Sequence, residues 1–514
     1  MLTLDKLSRR NARLYPHKTA FSFDSESVTF VEHNRRINRL VAALSERGVT
    51  RGDRFAVMAN NCIAYPELYG AAEKGGYLIA PLNFRLTAAE IGGLLRHVRP
   101  AVVFAQSRYL EVVDGALNGI STAVCVDGAP GGRWLSLESF TADQPDAEPA
   151  VDLLPGDPCY LIFTSGTTGI PRAAKLTHAG QWLDAAAIAL ELTLQPEDRH
   201  LATMPLYHIG GRALVLAHTL RGCTVHLQDG FEAERVLEVI ERERITTTQL
   251  VPTMVARLLD SPGLRTRDLG SLRRIWYASA PMPVELMRRA LETFGPMFLQ
   301  GYGQTEAGPL VTALQPYEHA LEGPEAARLG SCGRAVPGVE VRIRGENAIE
   351  LPSGEVGEVE VRSPFLMTEY WEKPMETQET LCEGWLRTGD MAYIDEYGYL
   401  YIVDRKRDLI ISGGENIYPR EIEEVLYGHS AVLEASVIGV PDELWGESVK
   451  ALVVLRDGMQ VTEWELLGYC RERLAGYKCP KSIEFKEVLP KTASGKVLKR
   501  ALRENYWQER QRRV

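Results

Sequence analysis

The chain has 514 residues, too many for one ordinary hydrophobic core, so two or more domains are expected. With 45% hydrophobic and 25% charged residues it carries ample apolar material to bury, which excludes a disordered chain. A net charge of −10 and a pI of about 5.7 argue against extended contact with a nucleic-acid backbone, while a small anion held by a few N–H groups and one or two cations stays open.

The N-terminal stretch from Met1 to Arg10 lacks the apolar run of a signal peptide, and no uninterrupted apolar segment approaches a membrane span of about 18 residues. The eight cysteines are scattered, with no C-x-x-C and no histidine at zinc spacing, so reduced thiols in a cytoplasmic protein are expected. In chain order, residues 54–58, 101–105 and 122–126 read as strands, each of the later two following a helix-like stretch. Residues 160–163 form another apolar run, 236–243 are helix-like, and 247–251 read as a strand. This alternation predicts an α/β protein.

From about residue 408 the texture changes. Pro419 suits the first turn of a helix with Ile422, Val425 and Leu426 on one face. Residues 432–440 and 450–455 are strand-like. Thr462 and Glu465 have capping-box spacing ahead of Leu466, Leu467, Cys470 and Leu474, and residues 483–488 close the set with a strand. The expectation is a large domain over 1–404, a hinge at 405–408, and a small α+β domain over 409–514. A basic surface turn is the other reading of Asp404-Arg405-Lys406-Arg407-Asp408.

The apolar run 160–163 leads directly into Thr164, Ser165, Gly166, Thr167, Thr168 and Gly169, followed by Ile170, Pro171 and Arg172. The glycines let backbone approach an anion, the hydroxyls donate, and Arg172 adds a bidentate cation. A flexible surface turn is the other reading of such a run. It is not a G-x-x-x-x-G-K-[ST] loop. Thr177 is placed to cap a helix from Ala179.

Further motifs follow in order. They are Gly301-Tyr302-Gly303-Gln304-Thr305-Glu306, then Gly389-Asp390 after Trp385, Asp404-Arg405, Gly413-Gly414-Glu415-Asn416, and Lys491 through Lys496. Six such motifs in this sequence resemble the acyl-adenylate-forming superfamily, which includes acyl-CoA synthetases, luciferases and the adenylation domains of peptide synthetases. The resemblance runs from about residue 10 to about 505. It implies the adenylate-forming fold, with a large multi-sheet N-terminal domain, a small mobile C-terminal domain and an active site between them.

The resemblance also implies roles. Residues 164–169 would hold the β- and γ-phosphates of ATP, with Thr164 and Glu306 as ligands of Mg²⁺; a carboxylate is the right hard donor for that ion. Thr305 would bond the α-phosphate, Asp390 and Arg405 the ribose, and Tyr302 with Gly303 the adenine, flanked by Ser279, Ala280 and Pro281. Lys496 would reach the reacting phosphate and the carboxylate oxygen. In a second conformation Gly413, Gly414, Glu415 and Trp445 would help form the tunnel for CoA. Met204-Pro205-Leu206-Tyr207-His208 resembles the segment whose aromatic and histidine line the acyl pocket; a histidine satisfied by a backbone carbonyl is the other reading of His208. Gly210 and Gly211 leave space where some aryl-CoA ligases carry bulk, and Arg212 is either near a second substrate carboxylate or on the surface.

Two segments depart from the family pattern. Pro171-Arg172-Ala173 stands where Pro-Lys-Gly is common, and Tyr277-Ala278-Ser279 precedes Ala280-Pro281 where glycines are common. The activity implied is that of an AMP-forming acid:CoA ligase taking a small carboxylic acid, whether fatty, aryl, alicyclic or dicarboxylic. A homodimer is compatible with it. The alternatives are a stand-alone enzyme loading a carrier protein, a nucleotide-binding regulator and, more remotely, a luciferase-like oxygenase.

Overall fold

Short apolar strands separated by amphipathic helices cannot bury both faces alone, and here they stack into layered sheets covered by helices. The computed structural model describes residues 2–117, 119–164, 172–345, 348–492 and 496–507. Of the expected phosphate loop, Ser165, Gly166, Thr167, Thr168 and Gly169 lie outside the described residues.

One sheet runs in the order Thr312–Leu314, Phe298–Tyr302, Arg274–Tyr277, Thr247–Leu250, Arg199–Ala202, Thr224–Leu227 and Thr19–Phe23, mostly parallel. A second contains Arg172–Thr177, Pro158–Thr164, Leu78–Pro81, Arg54–Met58, Val102–Ala105 and Thr122–Cys125. A smaller antiparallel sheet pairs Trp385–Ile394 with Gly357–Arg362 and Leu400–Arg405. Beyond it, Ile410–Ser412, Glu415–Ile417, Val432–Asp442, Gly446–Leu455 and Ser482–Phe485 make a separate sheet. That sheet has its own core of Ile410, Ile422, Leu426, Val437, Val453, Leu466 and Cys470. The fold is therefore α/β, with a large N-terminal and a smaller C-terminal domain.

Local chemistry explains the elements. Pro419 occupies the first turn of the helix Pro419–Tyr427, and Thr462 with Glu465 forms a complete capping box on Glu463–Arg471. Thr177 accepts from the Gly180 N–H at 3.1 Å and caps His178–Glu191. Two elements differ from expectation. The strand Arg172–Thr177 pairs antiparallel with Pro158–Thr164, so residues 165–171 connect two strands. The last strand stops at Phe485, and the helix Lys499–Trp507 packs on Val432–Asp442 after it.

Arg212 is neither at the surface nor on offer to a substrate. It is 3% exposed in the helix Ile209–Arg221, paired with Glu73 and donating to the Tyr160 hydroxyl at 2.9 Å. Tyr160 in turn donates to Glu73, and the guanidinium lies 4.4 Å from the Tyr69 ring centroid. Burial works against the charge of Arg212, but Tyr160 and Glu73 outweigh it and leave its pKa raised. Sequence spacing placed Arg212 four residues past His208; the helix turns that position inward.

Replacing Glu73 with Ala would strand a buried guanidinium. Urea titration should show the large domain less stable by about 3–5 kcal/mol, and the double change Glu73→Leu with Arg212→Met should recover most of that loss.

Candidate active site

Asp390 and Arg405 face each other in register across adjacent antiparallel strands. Arg405 Nε lies 3.2 Å from Asp390 Oδ1, and the Tyr302 hydroxyl donates to Asp390 Oδ2 at 2.8 Å. Tyr302 ends the strand Phe298–Tyr302, so three of the expected nucleotide-side residues meet at one strand-end corner. Beside them Gly303 runs so close to the Pro309 carbonyl that a Cβ there would sit 1.9 Å from its oxygen. Ser279 holds φ +74°, a left-handed conformation usually reserved for glycine, and this strain falls in the segment that departs from the family pattern.

Thr305 and Glu306 sit in one 3₁₀ turn, both 8% exposed, so Glu306 is not a solvated surface acid. The Tyr370 hydroxyl donates to Glu306 Oε1 at 2.8 Å, and the Arg172 guanidinium lies 5.2 Å from the Tyr370 ring centroid. Tyr370 is held by pairing of Glu369–Tyr370 with Arg172–Thr177. It was missed from sequence, since an aromatic in a loop carries no signal until that strand pairing exists. The Thr164 hydroxyl bonds the Arg172 carbonyl at 3.5 Å, closing the base of the connection between the two strands. Among the described residues no three His, Cys, Asp or Glu side chains converge on one point. One buried carboxylate with a hydroxyl nearby fits Mg²⁺, which keeps most of its shell from water and phosphate rather than from a protein cage.

His208 caps the helix Ile209–Arg221, its Nδ1 accepting from the Gly210 N–H at 3.1 Å. Its partner is thus a backbone donor, not the carbonyl weighed from sequence. Burial, then the charge of Lys496, pushes its pKa down to about 4. At neutral pH the ring is uncharged, and with Nδ1 accepting it carries its proton on Nε2.

Lys496 belongs to the C-terminal domain, where its N–H bonds the Thr492 hydroxyl at 3.1 Å. It is nevertheless close enough to His208, Arg405, Asp390, Arg407 and Asp408 for mutual electrostatic effect. Burial chiefly, and Arg405 next, lowers its pKa from 10.5 to about 7, with Asp390 opposing. The two domains also touch where Arg85 Nη1 meets the Thr492 carbonyl at 3.4 Å and where Val284 N–H meets Glu424 at 3.5 Å.

Gly413, Gly414, Glu415 and Trp445 are not brought into this cleft. Gly413 N–H bonds the Trp445 carbonyl at 2.8 Å, and the loop is exposed on the small domain. Asp442 accepts from the Leu444 and Trp445 N–H groups and fixes its shape.

The chain also matches known proteins. Residues 8–371 match the model of the AMP-binding enzymes and residues 421–496 that of their C-terminal domain. The chain belongs to the AMP-binding enzyme family, among its AMP-forming acyl-CoA synthetases. It is 40% identical to a feruloyl-CoA synthase of an Amycolatopsis species over 97% of this chain and 98% of that protein. It is 36% identical to an indoleacetate–CoA ligase of Aromatoleum aromaticum, over 96% of each. Among solved structures it is similar to the o-succinylbenzoate CoA synthetase of Bacillus subtilis in complex with its acyl-adenylate intermediate. There the TM-score is 0.85 at 30% identity, with 97% of each chain covered. Among the described residues, no helix of this synthetase is long and apolar enough to cross a membrane.

The Lys496 shift has a definite sign. A lysine freed into solvent returns to about 10.5 and binds more protons than one docked at about 7, so docking of the small domain becomes more favourable as pH rises from 7 towards 10.5. Energy transfer between dyes on the two domains of the ligand-free enzyme should increase over that window. In Lys496→Met the pH response should flatten.

Proposed function

We propose that this synthetase activates an aromatic carboxylic acid with ATP and passes the acyl group to CoA. The observation that carries the ligase mechanism is the convergence of Lys496 with Asp390, Arg405 and His208 in one cleft between the domains. The aromatic class rests on the likeness to the feruloyl- and indoleacetate-activating relatives.

In the first step a carboxylate oxygen attacks the α-phosphorus of ATP. The bond to the β-phosphate breaks, and pyrophosphate leaves with its electron pair. Two anions must meet for this to happen. Lys496, Arg405 and Arg172 supply positive charge, and bound anions would raise the proton affinity of Lys496 from its lowered value and favour its charged form. Thr164 begins the loop that would hold the departing phosphates. Thr305 would donate to the α-phosphate, and Asp390 with Arg405 would hold the ribose beside Tyr302. Glu306, kept in place by Tyr370, would hold Mg²⁺ together with the phosphates, and the ion when bound supplies charge neutralisation. His208, neutral with its proton on Nε2, is a hydrogen-bond donor towards the acyl carboxylate rather than a base.

In the second step the CoA sulfur attacks the acyl carbon, the bond to AMP breaks, and the thiol proton passes to solvent. No enzyme nucleophile is required, and the eight free cysteines need no catalytic role. The small domain would turn about residues 405–408, withdrawing Lys496 and presenting Gly413, Gly414, Glu415 and Trp445 to the pantetheine arm. The exposure of that loop while Lys496 is docked supports two working positions.

Lys496→Ala should slow acid-dependent pyrophosphate exchange by about 10²–10³-fold and largely spare thioester formation from supplied acyl-AMP. Equal loss in both halves would sink the two-position reading. Product analysis with CoA against a carrier-bound pantetheine tests the identity of the acceptor.

A further inference from the structure

The strand Arg274–Tyr277 ends in a tyrosine with no task in the mechanism above. Side chains alternate along it: Trp276 joins the core that also holds Ala307 and Leu310, while Ile275 and Tyr277 join the core on the opposite face of the sheet. Tyr277 is 1% exposed and stands in register with Gln300 on the neighbouring strand Phe298–Tyr302. Its hydroxyl lies 2.9 Å from His319 Nε2 and 3.0 Å from the side-chain amide of Gln300. His319 Nδ1 in turn lies 2.8 Å from the Gln315 carbonyl, just past the third strand, Thr312–Leu314. Gln300 and His319 are buried as well.

The protons available fix the direction of this chain of hydrogen bonds. Burial pushes the pKa of His319 down to about 4, so at neutral pH the ring carries a single N–H. The Gln315 carbonyl can only accept, which places that proton on Nδ1 and leaves Nε2 an acceptor. The Tyr277 hydroxyl therefore donates to Nε2 and, with no second proton, accepts from Gln300. Gln300 accordingly turns its NH₂ towards Tyr277 and its carbonyl oxygen towards the Cys332 thiol, 3.8 Å from the other end of the amide. One hydroxyl thus ties together the site-facing ends of three neighbouring strands.

Those ends carry the nucleotide corner. Two residues beyond Tyr277, Ser279 holds φ +74°; two residues beyond Gln300, Tyr302 donates to Asp390. A left-handed serine is strained and persists only where its surroundings over-determine it. We propose that Tyr277 is a positioning residue for the nucleotide, holding Ser279 and Tyr302, through His319 and Gln300, at the spacing that receives the adenosine. Tyr277 acts from the face opposite Trp276, through its partners rather than by contact. The inference rests on the reading of this corner as the nucleotide site.

The test is the Kd for AMP by calorimetry, with Tm measured without nucleotide, in the wild-type enzyme, Tyr277→Phe, Ser279→Gly and the double variant. Tyr277→Phe should raise Kd by about 10-fold or more, because two buried partners lose their answer and the strained segment relaxes. In the Ser279→Gly background the same change should raise Kd by less than about threefold, since glycine adopts the left-handed conformation without strain. A second pair keeps the question open to measurement should Tyr277→Phe fold poorly. His319→Leu should weaken AMP as Tyr277→Phe does, whereas His319→Gln, whose amide can still accept from Tyr277, should stay within about threefold of wild type. An unchanged Kd in Tyr277→Phe, even with a lowered Tm, or a loss of equal size in both backgrounds, would overturn the inference and leave the nucleotide site standing. If the wild-type enzyme bound no AMP, or if Asp390→Ala bound it as tightly as wild type, the reading of the corner itself would fall.

Discussion

A lysine held beside two arginines is unfavourable until an anion joins them, and much of this molecule is arranged around that constraint. Arg405 is fixed by its strand register opposite Asp390, one carboxylate that also takes the Tyr302 hydroxyl. Lys496 arrives from the other domain and loses proton affinity as it does so. The cleft is thus poised rather than relaxed: charge is assembled in advance, and in the proposed mechanism the triphosphate completes it. Preorganised charge of this kind stabilises a developing anion without reorganisation at the moment of reaction.

The buried polar network behind the cleft serves the same end by different means. Tyr160 stands on the strand that leads into Thr164, and Arg212 lies one turn below His208 on its helix. Through Glu73 the two are joined, so the strand that ends at Thr164 and the helix capped by His208 cannot slide independently. A hydrophobic seam would hold these layers together but would not fix their register as sharply.

Much of this was legible in the sequence, and the reason is local. Capping signals at Thr177 and Thr462, Pro419 at a helix start and the glycine-rich runs are written in neighbouring residues, and the order of the motifs pointed to the family. What sequence did not disclose depends on partners far along the chain. Tyr370 reaches Glu306 only through strand pairing with residues 172–177, and Arg212 turns inward to a glutamate 139 positions earlier. The strand Arg172–Thr177 was hidden because Arg172, just after a proline, read as loop chemistry. The roles of Ser165 through Gly169 still rest on the resemblance.

The division of the cleft between two separately cored domains also bears on how the protein is made. Asp390 and Arg405 leave the ribosome first, on a domain able to bury its own core, and Lys496 follows about 90 residues later, a delay of roughly 5–20 s at ordinary elongation rates. In that interval the large domain has to stand without the docking surface of its partner, exposing Arg85, Val284 and the edge of the corner at Arg405 to solvent. Chain synthesis therefore visits a form in which the large-domain side of the cleft is present and Lys496 is not.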